Sequence, residues 1–290
     1  KLVKELSYKI KYYYPMDQKD LTIIITTFRS EDKIHSCLNS IPQNIRVLII
    51  ENSNNMEFKK NLNKKYSNVD CLLTGGNKGY SEANNLGLSK VTSKYALVLN
   101  PDTILNNDAI NKFFITANTN EDFWLIGPGN DQGKKVESDQ IFQVDNLKGF
   151  AIFFNMKKFE NIFFDENFFL YFEEIDLCKR VKNNGGKILL DPRIKIHHEG
   201  ASSVNQSLKN ELEKNRNWHW MWSTFYYHKK YRGFLTALII VFPKLFSSFF
   251  KTIFYFIIFN KTKRDIYFYR LSGIINSILG KKSWYRPTLD

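Results

Sequence analysis

The sequence predicts an α/β fold, a mostly parallel central sheet flanked by helices over residues 21–207, followed by an amphipathic helical appendage over residues 208–290. Three observations carry that prediction. Short apolar runs rich in β-branched residues recur at 21–28, 45–50, 69–73 and 95–99, as strands buried on both faces of a parallel sheet require. The segments between them carry helical apolar spacing, so the order reads β-α-β-α-β, which implies parallel strands joined by right-handed crossovers. Polar, turn-forming residues follow the strands, and in such a sheet ligands bind outside the carboxyl ends of the strands.

Residues 21–28, Leu-Thr-Ile-Ile-Ile-Thr-Thr-Phe, form the first central strand, and Ile34, Cys37, Leu38 and Ile41 then line one helix face that ends at Pro42. The second strand, 45–50, runs into Glu51-Asn52-Ser53-Asn54, and a Lys-rich helix near 57–65 leads to the third strand at 69–73. Gly75-Gly76-Asn77-Lys78-Gly79-Tyr80 permits close backbone approach, and a helix beginning near Ser81 points amides toward an anion. This is neither the Gly-x-Gly-x-x-Gly fingerprint directly after a first strand nor a Gly-Lys-Ser/Thr phosphate loop, so nicotinamide and P-loop chemistry are poorly supported.

The organising stretch is 95–103, Tyr-Ala-Leu-Val-Leu-Asn-Pro-Asp-Thr, a buried strand stopped by a proline-bearing turn. Asp102 therefore follows a strand end, where a carboxylate holds a metal bridging a diphosphate or, with Thr103, caps the next helix. A helix at 108–117, strands at 123–126 and 149–154 and a turn-rich stretch at 127–133 follow. Residues 165–180 set aromatics against Glu173, Glu174 and Asp176, with Glu174 at a helix start, either a shielded general base or a complement to the helix dipole. Strands at 187–190 and 193–196 lead into His197-His198-Glu199-Gly200-Ala201-Ser202, where a histidine can ligate a metal or contact a diphosphate.

At 290 residues and 43% hydrophobic content, the chain can bury one substantial core or two modest ones. Cys37, Cys71 and Cys178 form no Cys-x-x-Cys pair, which argues against a disulfide framework or zinc site and suits a reducing, cytosolic setting. Residues 1–20 read as an N-terminal extension, and the mixture of lysine and tyrosine over 1–14 is not a secretory signal. Residues 209–290 carry 15 Lys and Arg against 4 Asp and Glu, whereas the rest of the chain carries 27 against 25. Because that basic excess is interleaved with aromatic and aliphatic bulk, it suits an anionic membrane surface rather than a nucleic-acid groove. Residues 217–232 read as an aromatic belt at a bilayer interface, and Pro243, Lys244 and Lys251 divide the apolar stretch 233–259 into pieces shorter than the roughly 20 residues needed to span. Interfacial helices are the expectation, with a helical cap as the alternative.

In order and spacing, Thr26-Thr27-Phe28, Glu51-Asn52-Ser53, Gly76-Asn77-Lys78-Gly79-Tyr80 with Asn84-Asn85, Asn100-Pro101-Asp102-Thr103, Gly149-Phe150-Ala151, residues 168–180 and His197-x-x-Gly200-x-Ser202 resemble the inverting family 2 glycosyltransferases of GT-A (Rossmann-like) fold. The nearest likeness is to the rhamnosyltransferase-like branch of bacterial surface polysaccharide synthesis. The resemblance implies donor contacts from Thr26, Phe28, Glu51, Asn52, Asn77, Gly79, Asn84, Asn100 and Asp102, and a divalent Mg²⁺ or Mn²⁺ on Asp102 with His197. It implies Glu174 as catalytic base and acceptor contacts from Gly149, Tyr171 and Glu173. The sequence departs from the pattern at Asn100, where the Asp-x-Asp motif opens with aspartate, at Glu51, where the family carries aspartate, and at Glu173-Glu174 in place of Glu-Asp. The implied donor is a nucleotide-diphosphate sugar, dTDP-rhamnose or a UDP-hexose or UDP-galactofuranose. The implied acceptor is a polyprenyl-diphosphate-linked saccharide met peripherally at the cytoplasmic face of the inner membrane. A catalytically inactive nucleotide-sugar-binding subunit is the reading from a different class.

Overall fold

A computed structural model of the protein describes residues 18–129, 139–160, 163–198 and 206–287. The chain builds β1 (Leu21–Thr27), α1 (Glu31–Asn39), β2 (Arg46–Glu51), α2 (Met56–Lys65), β3 (Val69–Leu73), α3 (Gly79–Leu88), β4 (Tyr95–Leu99), β5 (Thr103–Leu105), α4 (Ala109–Thr119) and β6 (Phe123–Pro128). It continues through β7 (Phe142–Gln143), β8 (Ala151–Asn155), α5 (Glu173–Asn183), β9 (Lys187–Asp191), β10 (Ile196–His198), α6 (Gln206–Arg232), α7 (Phe234–Ile257) and α8 (Lys261–Ile278). Most of the extension at 1–20, and Glu199, Gly200, Ala201 and Ser202 of the histidine motif, lie outside the described residues.

The chain divides into two compact units, one drawn from residues 1–76, 83–163 and 177–200 and the other from 77–82, 164–176 and 201–290. In the first, eight strands form one sheet in the order β3-β2-β1-β4-β8-β6-β9-β7. β1 pairs in parallel with both β2 and β4, β2 with β3, and β6 with β9, as the alternation predicts. β8 runs antiparallel to β4 and β6, and the short β7 antiparallel to β9, so the sheet is mixed at one side. Ile23, Ile25, Val47, Ile49, Leu97 and Phe153 belong to one buried cluster, with Phe113 stacked on Phe153 at 5.0 Å between ring centroids.

Two short strands escape the sequence reading. β5 and β10 form a separate antiparallel pair, and β10 begins at Ile196 rather than at the expected 193. The cause is Asp191, fully buried, whose carboxylate accepts bonds from Thr116 and from the backbone and guanidinium of Arg193. Ile194 N donates to Asp191 O at 3.2 Å, so residues 191–194 turn instead of extending.

The second unit is built on α6, α7 and α8, whose Met221, Phe225, Ala237, Val241 and Ile274 make one apolar cluster. Residues 217–232 are aromatic but only partly on the surface, with Trp220 exposed and Phe225 buried. Trp218 and Trp222 are buried with Tyr285, and their indole N–H groups donate to Ser272 Oγ and Lys281 O, as buried tryptophans require. Pro243 does not divide the apolar stretch, because α7 is continuous for 24 residues and is long and apolar enough to cross a membrane. One internal proline removes one backbone bond and costs about 3 kcal/mol, and burial of the apolar Ala237 and Val241 along the same helix opposes that cost.

Residues 77–82 and 164–176 belong with these helices rather than with the chain that flanks them, so the units do not follow the sequence boundary at 208. Ser223 Oγ donates to Leu170 O, and Phe168 meets Tyr226 edge to face. Lys230 bridges Asp165 and the fully buried Asp176, which also accepts from Tyr231 Oη at 2.8 Å. Burial raises the Asp165 carboxyl, but Lys230 and Asn167 more than offset this and hold it below the ordinary carboxylate value. Lys230→Met should lower stability in denaturant titration by about 3 kcal/mol, because Asp165 and the fully buried Asp176 lose the cation they share. Stability from a depressed carboxyl is present above its unfolded pKa and lost as pH falls through the folded one, so the gap between wild type and variant should narrow in acid.

Candidate functional site

In the first unit, parallel pairing of β1 with β2 and β4 brings Thr27, Glu51 and Leu99 to one edge of the sheet. Thr26 Oγ1 donates to Asn84 Oδ1 at 3.0 Å, which joins the end of β1 to α3. Phe28 N approaches Ser30 Oγ at 3.4 Å, and Arg29 takes a left-handed φ of 49°. Glu51 is fully buried, and its carboxylate is spent on its own loop: Oε1 accepts from Ser53 N at 2.9 Å and from Ser53 Oγ, and Oε2 from Asn55 N at 2.7 Å. Asn52 Oδ1 accepts from Thr74 Oγ1 at 2.9 Å. Glu51 therefore shapes the turn after β2.

The turn after β4 is pinned by Asn100 N donating to Phe150 O at 2.9 Å and by Thr103 Oγ1 donating to Asn100 O at 2.7 Å. Antiparallel pairing then sets His198 opposite Thr103 and His197 opposite Ile104. Side chains alternate along a strand, so His197 is exposed while His198 Nε2 lies 3.2 Å from Asp102 Oδ1. The His198 ring stacks on Phe150 with centroids 5.1 Å apart and planes 10° from parallel. The structure thus brings His198, not the sequence-predicted His197, to Asp102. Burial raises the Asp102 carboxyl, yet the hydrogen bond and charge of His198, its own backbone N–H and Lys33 bring it below the ordinary value, so it is ionised at neutral pH. Gly149 is half-buried beside Phe150 in the chain.

In the second unit, Asn77 Oδ1 accepts from Gly79 N at 3.2 Å, a short side-chain turn that opens α3. Gly79 has φ +82°, and a Cβ there would lie 2.5 Å from the ring and carbonyl of Phe169, so glycine is required on two counts. Tyr80 N closes the clasp on Phe169 O at 2.8 Å. Tyr171 and Phe172 both hold left-handed φ, 70° and 71°, a strained pair directly before α5. Burial pushes the Tyr171 hydroxyl up to about 12. Glu173 is buried, and its Oε2 has no partner among the described residues. Burial and then the Glu174 charge raise the Glu173 carboxyl well above the ordinary value, and burial raises the half-buried Glu174.

Of the sequence-predicted site residues, Thr26, Phe28, Glu51, Asn52, Asn84, Asn100, Asp102, Gly149 and His197 fall in the first unit, and Asn77, Gly79, Tyr171, Glu173 and Glu174 in the second. Sequence reasoning preferred His197 to His198 beside Asp102 without deciding between them, and it missed Thr74 as the partner of Asn52. Glu51→Gln should destabilise the protein by about 1–3 kcal/mol in thermal or denaturant unfolding, because one carboxylate oxygen becomes a donor facing donors. Glu51→Asp should recover only part of that loss, since its shorter side chain cannot span the same loop.

The Glycosyl transferase family 2 model matches residues 22–177. The low-salt glycan biosynthesis hexosyltransferase Agl10 of Haloferax volcanii is 27% identical over 192 residues, covering 56% of this chain and 62% of that protein. The teichoic acid poly(glycerol phosphate) polymerase of Staphylococcus epidermidis is 28% identical over 151 residues, covering 49% and 20%. The chain thus spans less than two thirds of the length of either relative. Among solved structures, the mannosyltransferase PcManGT of Pyrobaculum calidifontis, in complex with GDP-Man and Mn²⁺, superposes with a TM-score of 0.57 at 10% identity, covering 97% of this chain and 95% of that one. S. aureus TarS 1-349 gives 0.51 at 13% identity, covering 92% and 93%. These likenesses establish a GT-A fold, and with a family match over more than half of its length, the chain belongs to glycosyl transferase family 2.

Proposed function

We propose that this chain is an inverting glycosyltransferase that moves a sugar from a nucleotide diphosphate to a growing glycan, with dTDP-rhamnose as donor and a polyprenyl-diphosphate-linked saccharide as acceptor. The observation that carries the reading is the Asp102–His198 pair on the turn after β4, in a fold whose ligands lie beyond the strand ends. Among the described residues no group of three or more His, Cys, Asp or Glu is placed to hold a metal ion. An open site of one ionised carboxylate and one imidazole fits a divalent ion completed by substrate phosphates and water, and the imidazole favours Mn²⁺ over Mg²⁺. Asp102 and His198 would hold that ion, which when bound supplies the positive charge that stabilises the departing diphosphate. The Pyrobaculum mannosyltransferase of the same fold is in complex with Mn²⁺, which supports a divalent ion as cofactor.

Glu174 is the base. The acceptor hydroxyl oxygen attacks the anomeric carbon, the bond from that carbon to the diphosphate oxygen breaks, and the hydroxyl proton passes to the Glu174 carboxylate. A single displacement inverts the centre and needs no covalent intermediate. Glu173, buried and next to the Glu174 charge, takes a proton more readily than an ordinary glutamate and so limits the negative charge gathered at the start of α5.

The second unit supplies the membrane surface in this reading. Leu235 and Ile239 are about three-quarters exposed, and Phe242, Phe246, Phe250 and Phe254 continue the apolar face of α7, with Lys261, Lys263 and Arg264 directly after it. That arrangement fits the cytoplasmic face of an anionic membrane.

Nucleotide release from dTDP-, UDP- and GDP-sugars with Mn²⁺, with and without EDTA, tests the reading. Turnover that needs both the metal and Asp102, and favours dTDP-rhamnose, is the expected result; metal-independent turnover, or none with any donor and membrane-derived acceptor, rejects it. Glu174→Gln should cut kcat by about 10²–10⁴-fold while sparing donor affinity. Because the Glu174 carboxyl is raised, wild-type turnover should fall on acidification at a pH above the ordinary glutamate value, as the base takes up its proton. In flotation assays the protein should bind phosphatidylglycerol vesicles over phosphatidylcholine ones, and the double change Phe246→Asp with Phe250→Asp should lower that binding at least tenfold.

A further inference from the structure

Within the second unit, α7 and α8 pack together along two stripes of cations and tyrosines that contain no acid. On α7, Lys244, Lys251 and Tyr255 recur at helical spacing and share one face, and on α8 Lys263, Tyr267 and Arg270 do the same. The stripes join through their rings, since Tyr255 stacks on Tyr267 with centroids 5.5 Å apart and planes 8° from parallel. Lys251 Nζ lies 5.0 Å from the centre of the Tyr267 ring and 3.5 Å from its hydroxyl, and the Arg270 guanidinium carbon lies 5.7 Å from the same centre. Lys263 Nζ lies 5.4 Å from the centre of the Tyr255 ring. The charge of Arg270 also acts on Lys244, which extends the cluster along α7.

Other cations of these helices are neutralised. Lys214 pairs with Glu211, Arg216 with Glu213, and Lys230 with Asp165 and Asp176. α7 holds no acid, and the one acid of α8, Asp265, is bound by Arg264 at 2.7 Å. Among the described residues no carboxylate lies within ion-pair distance of Lys244, Lys251, Lys263 or Arg270, and the buried Nε of Arg270 meets no acceptor. Like charges gathered on one pair of helices repel, and a tyrosine face holds a cation in place without removing its charge. Ammonium groups and a planar guanidinium fork placed together in this way match a phosphate that bears more than one negative charge. The flanking surface is apolar: Phe254, one turn on from Lys251, and Phe268, next to Tyr267, are each about half exposed. A phosphate attached to a hydrocarbon chain fits both parts of that surface.

We propose that the groove between α7 and α8 binds the headgroup of a membrane lipid whose terminal phosphate is a doubly charged monoester. The proposal rests on the reading of α7 as membrane-facing, and adds to it a defined headgroup site.

Flotation of the full chain with phosphatidylcholine vesicles containing either phosphatidic acid or phosphatidylglycerol, adjusted to equal zeta potential, compares a monoester with a diester at the same surface charge. The wild type should bind the phosphatidic acid vesicles at least threefold more tightly. Lys251→Gln with Lys263→Gln should erase that preference and leave the unfolding midpoint in place or raise it, because like-charge repulsion is relieved. Lys281→Gln with Lys282→Gln removes the same charge from the exposed chain beyond α8 and should weaken binding to both vesicles while keeping the preference. Should the groove variant fail to fold, Arg270→Lys keeps the charge without the fork and should still lower the preference at least twofold. Equal binding of the wild type to both vesicles, a preference that survives in the groove variant, or its loss in the control overturns the site while leaving the membrane reading standing. Free glycerol 3-phosphate that binds in calorimetry as tightly as the vesicle lipid makes the ligand a soluble phosphate and equally overturns the lipid assignment. A wild type that floats with neither vesicle removes the membrane reading, and the site with it.

Discussion

The register of β1 between β2 and β4 is the constraint on which the first unit depends. Thr27 lies opposite Glu51 and Ile25 opposite Leu99, so three loops leave the sheet along one edge. Side chains alternate with a period of two, and a slip of one residue would exchange the faces on which Ile23 and Ile25, and the equally buried Ile24, are packed. The glycine at Gly87 shows how little room remains, since a Cβ there would meet Ile24 Cγ2 at 2.5 Å. Loop chemistry at this edge is thus fixed by core packing several residues away.

Buried acids in this molecule are handled in three ways that map onto three duties. Glu51 is satisfied by its own backbone and shapes a turn; Asp191 and Asp176 are satisfied by Arg193 and Lys230 and fix architecture. Asp102 faces an imidazole rather than an arginine or lysine fork, and Glu173 has an oxygen with no partner among the described residues. Burial alone raises a carboxyl, so the sign of the net shift separates the groups: it is downward at Asp102 and Asp191, and upward at Glu173 and Glu174. A carboxylate suited to a cation and one suited to accept a proton differ here by neighbours, not by residue type.

The sheet was legible because its strands are long, apolar and β-branched, with helices of clear period between them. Strands of three residues were not: β5 and β10 each offer too little alternation to be read, and their pairing decides which histidine reaches Asp102. The burial of Ile196 is the signal that points to His198, since the residue two positions on shares its face. Composition described the tail as basic and aromatic but could not say which tryptophans face inward, and Trp218 and Trp222 turned out to be core. Pro243 misled because a helix packed along one side tolerates a lost backbone bond that an isolated helix would not. The Glu51 carboxylate was placed near the right edge, yet its local bonds are invisible to any motif.

The clasp of Gly79 and Tyr80 on Phe169 has a consequence for how such proteins diverge. Because residues 77–82 and 164–176 fold with the helices of 206–287, exchanging the terminal helices between two relatives would mean exchanging both inserts as well. A chimera joined only at residue 206 would bring a foreign residue to the position of His219 against Phe169, which Gly79 holds in place with no room to shift. The helices of 206–287 and the chain beyond them are thus matched to residues far upstream, as the bond from Arg286 to Asn77 across 209 positions shows.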